Sequence, residues 1–262
     1  MAAPPLVAVA HGSRDPRAAA TVGVLLDLVR RRAAGAGYPD LDVRAAYLGH
    51  AAPTLRQALG AVAGEAVVLP LLLTAAYHSK SDIPKVLHEA HRRQPWLDVS
   101  YGRPLGPHPL LLRALDRRLS EALAAHHPAA HAPASGAVPP SGTAVVLAAA
   151  GSSDPAANAV ISGLGARWQS ARGWRTVVPA YASAASPAPA EAVAAAWRGG
   201  ARRVLVATYL LSPGIFADQI RGECLAAGAT VVSGVLGAAP EVADVVLGRY
   251  AESLADGAAA AV

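Results

Sequence analysis

The stretch VAVAHGSRDP, residues 7–16, passes from an apolar run straight into a histidine, a glycine and a polar cluster. Residues 146–155 repeat it as VLAAAGSSDP, with the same apolar run and the same Gly-Ser-x-Asp-Pro frame, but His11 has become Ala150. In that frame glycine admits a positive φ, Ser13 or Asp15 can cap a following helix, and Pro16 suits the helix's first turn. A strand that enters a capped helix through a glycine turn, made twice, predicts a duplicated α/β unit. The histidine, kept once, is the part that folding does not require.

Three more blocks recur in the same order. VRAAYLGHAAPTLRQAL (43–59) returns as VVPAYASAASPAPAEAV (177–193), and VVLPLLLTAAYHSKSDIP (67–84) as VLVATYLLSPGIFADQI (204–220). PLGPHPLLLRAL (104–115) returns as VLGAAPEVADVV (235–246). Ordered recurrence of this kind marks an internal duplication. It pairs His11 with Ala150 and His78 with Phe216, so the second half has lost both imidazoles. The segment HHPAAHAPASGAVPPSG (126–142) reads as a Pro/Ala-rich linker, and its His126, His127 and His131 as incidental to it rather than as a metal tract. The expected division is therefore an N-terminal domain over 1–125 that carries the site histidines and a C-terminal domain over 143–262 that lacks them.

Within each half, short runs apolar throughout alternate with amphipathic stretches. LVAVA, VRAAYL, AVVLPLLL and LDVSYG read as strands, with helices predicted over 18–34, 53–62, 82–93 and 109–124. Such strands belong to parallel sheets covered on both faces. The expected fold is two Rossmann-like three-layer α/β/α domains with mainly parallel sheets. Ligands bind such sheets beyond the carboxyl ends of the strands, where His11 and His78 fall.

Bulk composition narrows the function classes. Of the 23 basic residues in this chain of 262, all but two are arginine, and the net charge is +5. The arginines are scattered, with no basic tract interleaved with aromatics, which argues against nucleic acid and suits a polyanionic small molecule. Cys224 is the sole cysteine, which excludes an intrachain disulfide or a thiolate cluster. No apolar run reaches the roughly 20 residues of a membrane span, and the start lacks a basic n-region, so no membrane association and a cytoplasmic location are expected. An internal pseudo-dimer is compatible with a monomer.

AHGSRDP after a first strand, followed some sixty residues on by LPLLLTAAYHSKSDIP, resembles the class II chelatases of the sirohydrochlorin type in their double-length, two-half form. The resemblance covers the whole chain. It implies chelatase-like domains and a lyase that inserts Fe²⁺ or Co²⁺ into sirohydrochlorin, in sirohaem or cobalamin biosynthesis, with no ATP and no cofactor beyond the metal substrate; Fe²⁺ is the first expectation. It also implies His11 and His78 as catalytic metal-handling residues. The family's acidic residue in the AYL block is here Gly49, and His50 beside it is a candidate third ligand or else a partly exposed histidine. On a regular strand, residues 49 and 50 would point to opposite faces. Ser13, Arg14, Tyr77, Ser79 and Lys80 are candidate substrate contacts, Arg14 and Lys80 for the substrate's carboxylates. Two alternatives remain open on the sequence: a tetrapyrrole or metal carrier without catalysis, and phosphoryl transfer of the histidine-phosphatase kind. The latter normally has an arginine directly before the histidine, where this chain has Ala10.

Overall fold

A computed structural model describes residues 3–74, 81–126 and 139–260, with side chains of the last helix through Asp256. In chain order the first half runs β1 (Leu6–Ala10), α1 (Pro16–Ala33), β2 (Val43–Tyr47), α2 (Leu55–Gly60), β3 (Glu65–Pro70), α3 (Ile83–Arg93), β4 (Asp98–Tyr101) and α4 (Pro109–His126). The second runs β5 (Thr143–Ala149), α5 (Pro155–Arg172), β6 (Thr176–Tyr181), α6 (Pro189–Arg198), β7 (Arg203–Tyr209), α7 (Ile215–Ala226), β8 (Val231–Val232) and α8 (Pro240–Ala260). Both sheets are parallel, with strand orders β2-β1-β3-β4 and β6-β5-β7-β8. The duplicated α/β reading is therefore correct.

Each central strand is buried on both faces, as a parallel sheet between helical layers demands. All five residues of β1 and all seven of β5 are buried. On one side of the first sheet Val7 and Val9 pack with Leu55, Leu59, Ile83 and Leu97. On α1, Ala18, Val22, Leu25, Leu26, Val29 and Ala33 are buried, a stripe at helical spacing.

The chain divides into two compact units that are not its linear halves: residues 1–111 with 237–262, and residues 112–236. The final helices are exchanged. In the first unit α8 joins α1 and the first sheet, where Tyr250 Oη donates to the Pro4 carbonyl at 2.7 Å and Arg32 pairs with Asp244 at 2.7 Å. In the second, α4 carries Asp116, which accepts from Trp168 Nε1 at 3.0 Å and pairs with Arg172.

Strand register also corrects one repeat pairing. Leu6 lies opposite Val67, and Val145 opposite Leu205, so Leu71 and Tyr209 are equivalent. Residues 72–82 then precede α3, whereas only 210–214 precede α7. The first connection is the longer, and Phe216 in the first turn of α7 matches Pro84 in the first turn of α3 rather than His78.

Candidate active site

In the first sheet the strand order reverses between β1 and β3, which makes the carboxyl ends of these strands the topological switch point. The chain leaves β1 there as His11-Gly12-Ser13. Gly12 has φ +87°, and a Cβ on it would lie 1.7 Å from the Gly49 carbonyl oxygen. Glycine is needed for both its conformation and its lack of a side chain. Leu48 N–H donates to the Ala10 carbonyl at 3.1 Å and Gly49 N–H to the His11 carbonyl at 3.2 Å, which ties the two loops together. Ser13 Oγ accepts from Asp15 N–H at 3.1 Å, and Asp15 Oδ1 from Arg17 N–H at 2.9 Å, so Asp15 caps α1 with Pro16 at its first position. The Arg17 guanidinium holds the Asp15 carboxyl below its ordinary pKa.

The second unit rebuilds this frame in detail. Gly151 also has φ +87°, and its Cβ would lie 1.9 Å from the Ser183 carbonyl. Ser183 N–H donates to the Ala150 carbonyl at 2.9 Å, and Asp154 caps α5 as Asp15 caps α1. His50 and Ala184 occupy equivalent left-handed positions, φ 60° and 56°. The peptide bonds Ala52–Pro53 and Ser186–Pro187 are both cis. The frame is thus a folding device, independent of any histidine.

His11 is exposed, and its Nδ1 lies 3.0 Å from the Gly12 carbonyl. A carbonyl only accepts, so this contact is a hydrogen bond in the tautomer that carries its proton on Nδ1. Arg14 and His50 are also exposed. The strand-parity expectation for residues 49 and 50 does not apply, because β2 ends at Tyr47 and the left-handed His50 lies in the turn beyond it. Gly49 would place a Cβ in open space, with nothing within 4 Å. Tyr77, His78, Ser79 and Lys80 lie outside the described residues. Among the described residues no three His, Cys, Asp or Glu side chains group as a metal site. An open cleft on α3 is lined by Ser81, Pro84, Lys85, His88, Glu89 and Arg92. Glu89 is paired with Arg56 at 2.7 Å, so the lining is basic on balance.

Sequence reasoning missed a difference between the two loops. In the second unit Asn158 accepts from Ser152 N–H at 3.1 Å and donates to the Ser152 carbonyl at 2.7 Å, while Ser183 Oγ donates to the Ala150 carbonyl at 3.0 Å. Ala19 and Gly49 stand at those places in the first unit. The loop with the histidine therefore lacks the side-chain latches of its duplicate. Both differences are visible once the repeats are aligned on Pro16 and Pro155.

The CbiX family model matches residues 5–122 and again 144–253. The chain belongs to the CbiX family. Since each half matches separately, it is a two-half member. A sirohydrochlorin ferrochelatase of Priestia megaterium is 28% identical over 222 residues, spanning 82% of this chain and 76% of the relative. A sirohydrochlorin cobaltochelatase of the same organism is 29% identical over 161 residues, 60% of this chain and 48% of the relative. SirB from Bacillus subtilis, solved with Fe³⁺, superposes with a TM-score of 0.80 at 24% identity, covering 98% of both chains. SirB from its subspecies spizizenii in complex with cobalt gives 0.74 at 24% identity, over 96% of this chain and 95% of that one. At such identity these likenesses establish the fold, which this CbiX protein shares over nearly its whole length. No helix among the described residues is long and apolar enough to cross a membrane.

Proposed function

We propose that this protein is a chelatase, a lyase by reaction class, that inserts a divalent metal into sirohydrochlorin, with Fe²⁺ as the first substrate metal and Co²⁺ as the second. The observation that carries this is the His11 loop at the switch point of the first sheet: its frame is rebuilt in the second unit without the imidazole. Both curated relatives above act on sirohydrochlorin, one as a ferrochelatase and the other as a cobaltochelatase.

The chemistry balances simply. The metal-free macrocycle carries two inner N–H groups; M²⁺ enters, four M–N contacts form, and two protons leave, so charge is conserved and nothing is oxidised. The His11 imidazole holds the metal on one face of the macrocycle and then releases it, with His78 as its partner. After transfer the freed imidazole takes up a ring proton as a general base. Two imidazoles without a full protein ligand set favour delivery over retention, since a closed set of four would keep the metal. Arg14 and Lys80 meet the substrate's carboxylates, with Ser13, Tyr77 and Ser79 as further contacts. ATP is not required. His50 is the candidate third ligand, from the turn that Gly49 N–H fastens to the His11 carbonyl.

A second reading, a carrier that binds without inserting, is favoured by one feature: no carboxylate occupies position 49. An anaerobic absorbance time course with sirohydrochlorin in large excess over protein separates the two. Metallation of many equivalents, faster than the spontaneous rate with Fe²⁺ or Co²⁺, is the result expected. A spectral shift limited to one equivalent would establish the carrier instead.

A further inference from the structure

The fourth repeated block sets an arginine beside the loop that follows the last strand of each unit. In the second unit Arg118, on α4, donates from Nε (3.1 Å) and Nη2 (2.8 Å) to the Leu236 carbonyl, and from Nη1 to Glu121 Oε2 at 2.7 Å. Arg249, on α8, is its counterpart in the first unit. It has the same helix register from Pro109 and Pro240, and the same bond to the glutamate three residues on, Glu252, at 2.7 Å. Only 9% of the Arg249 side chain is exposed, yet its Nε has no hydrogen-bond partner among the described residues.

The loop explains why. Gly106 N–H donates to the Leu72 carbonyl at 3.4 Å, at the place where Leu236 N–H donates to Leu210 at 2.9 Å. Counted back from the two helices, that contact is shifted by one residue, and the carbonyl that Arg118 grips is not presented to Arg249. The same loop carries Arg103 and His108 where the second unit has Gly234 and Ala239. Arg103 donates to Glu252 Oε2 at 2.8 Å with 67% of its side chain exposed. His108 Nδ1 accepts from Leu110 N–H at 3.1 Å, capping α4, so the neutral ring carries its proton on Nε2. Burial, and then the Arg249 charge, hold the His108 pKa below its ordinary value against the opposing Glu252, so the ring is neutral near pH 7. Both arginines thus bond the one carboxylate of Glu252, and His108, in the same loop as Arg103, lies within electrostatic reach of Arg249 and Glu252. Among the described residues the cluster has a surplus positive charge and spare donors, with no second acid in its bonding. It follows β4 at the carboxyl edge of the sheet, the edge that also carries His11.

We propose that Arg249 Nε, Arg103 and His108 form a carboxylate-binding subsite that takes one peripheral carboxylate of a polyanionic substrate. A buried donor left unmade is costly, and a carboxylate is the acceptor that matches guanidinium and imidazole N–H groups. The second unit shows the alternative, in which the same arginine is tied to backbone and the loop carries neither extra donor. The subsite rests on the proposed function, whose substrate is a polycarboxylate.

The test is equilibrium binding of metal-free sirohydrochlorin to the full chain, followed by absorbance, for wild type, Arg103→Gln, His108→Asn and the double variant. Asparagine keeps the helix cap, but its shorter side chain no longer places an N–H where the imidazole Nε2–H stands. Arg103→Gln is expected to raise Kd about tenfold and His108→Asn about threefold, from the usual worth of charged and neutral hydrogen bonds. If both donors hold one carboxylate, the double variant falls short of the product of the two. A wild type that binds and metallates, with both single variants within twofold of it, would overturn the subsite and leave the chelatase standing. A wild type that neither binds nor metallates sirohydrochlorin would overturn both.

Discussion

Gly12→Ala and Gly151→Ala form a matched pair that separates folding from chemistry. Each alanine would sit at φ +87°, with its Cβ 1.7 Å from Gly49 O in one unit and 1.9 Å from Ser183 O in the other. The left-handed conformation costs about 1–2 kcal/mol for a residue with a Cβ. Relieving the clash means parting the two loops, and with them the bonds from Leu48 to Ala10 and Gly49 to His11, or Ala182 to Ala149 and Ser183 to Ala150. At about 1 kcal/mol or somewhat less for each bond, the loss is roughly 2–4 kcal/mol for either variant. Denaturant midpoints of the two variants and wild type give the stability change. Initial metallation rates, taken where all three are folded, give the functional one. Both variants should lose similar stability, but only Gly12→Ala should lose most of its activity, because only it displaces a histidine. Stability of Gly12→Ala within about 0.5 kcal/mol of wild type, or equal activity losses in the pair, would refute the reasoning.

Other consequences are as direct. Gly49→Glu introduces a side chain where no atom lies within 4 Å, so its melting temperature should stay within about 2 °C of wild type; Co²⁺ titration should show tighter metal binding. Asp116→Ala strands the Trp168 indole N–H and the Arg172 guanidinium, and should cost about 1–3 kcal/mol in chemical denaturation. Burial pushes the Cys224 thiol up to about 12, so at pH 8 it should stay protonated and resist a thiol reagent until the protein unfolds. Arg249 first, and Arg103 after it, hold Glu252 below its ordinary 4.5. That stabilisation is present above pH 4.5 and lost as pH falls through the lowered value, so the acid side of the stability profile should flatten in Glu252→Gln.

Strand β1 and the cap at Asp15 were legible in VAVAHGSRDP because burial and capping are local. The helix was expected from residue 18 but starts at Pro16, since the cap sits directly before the proline. The turn at His50 was not legible, because a left-handed non-glycine residue leaves no mark in a polarity pattern. The pairing of His78 with Phe216 failed for a different reason. Alignment of apolar runs does not locate a gap, whereas strand register does, and it puts the extra residues in the first unit's loop. Nor could order along the chain reveal that α4 and α8 exchange units. An amphipathic helix specifies that it covers a sheet, and Asp116 and Tyr250 reveal which one only through their partners. His11 stands out as a candidate because the duplication supplies its own control, a frame kept twice within one chain with the imidazole present once.

The most direct test of that claim is the steady-state rate of metal insertion into sirohydrochlorin by His11→Ala, measured against wild type under anaerobic Fe²⁺ and Co²⁺, with melting temperatures recorded on the same samples. A fall of about a hundredfold or more with the melting temperature unchanged is predicted, as expected for a group acting at the reacting atoms and not in the fold. A rate within about twofold of wild type would contradict it, and would mean that the metal is handled elsewhere in the chain.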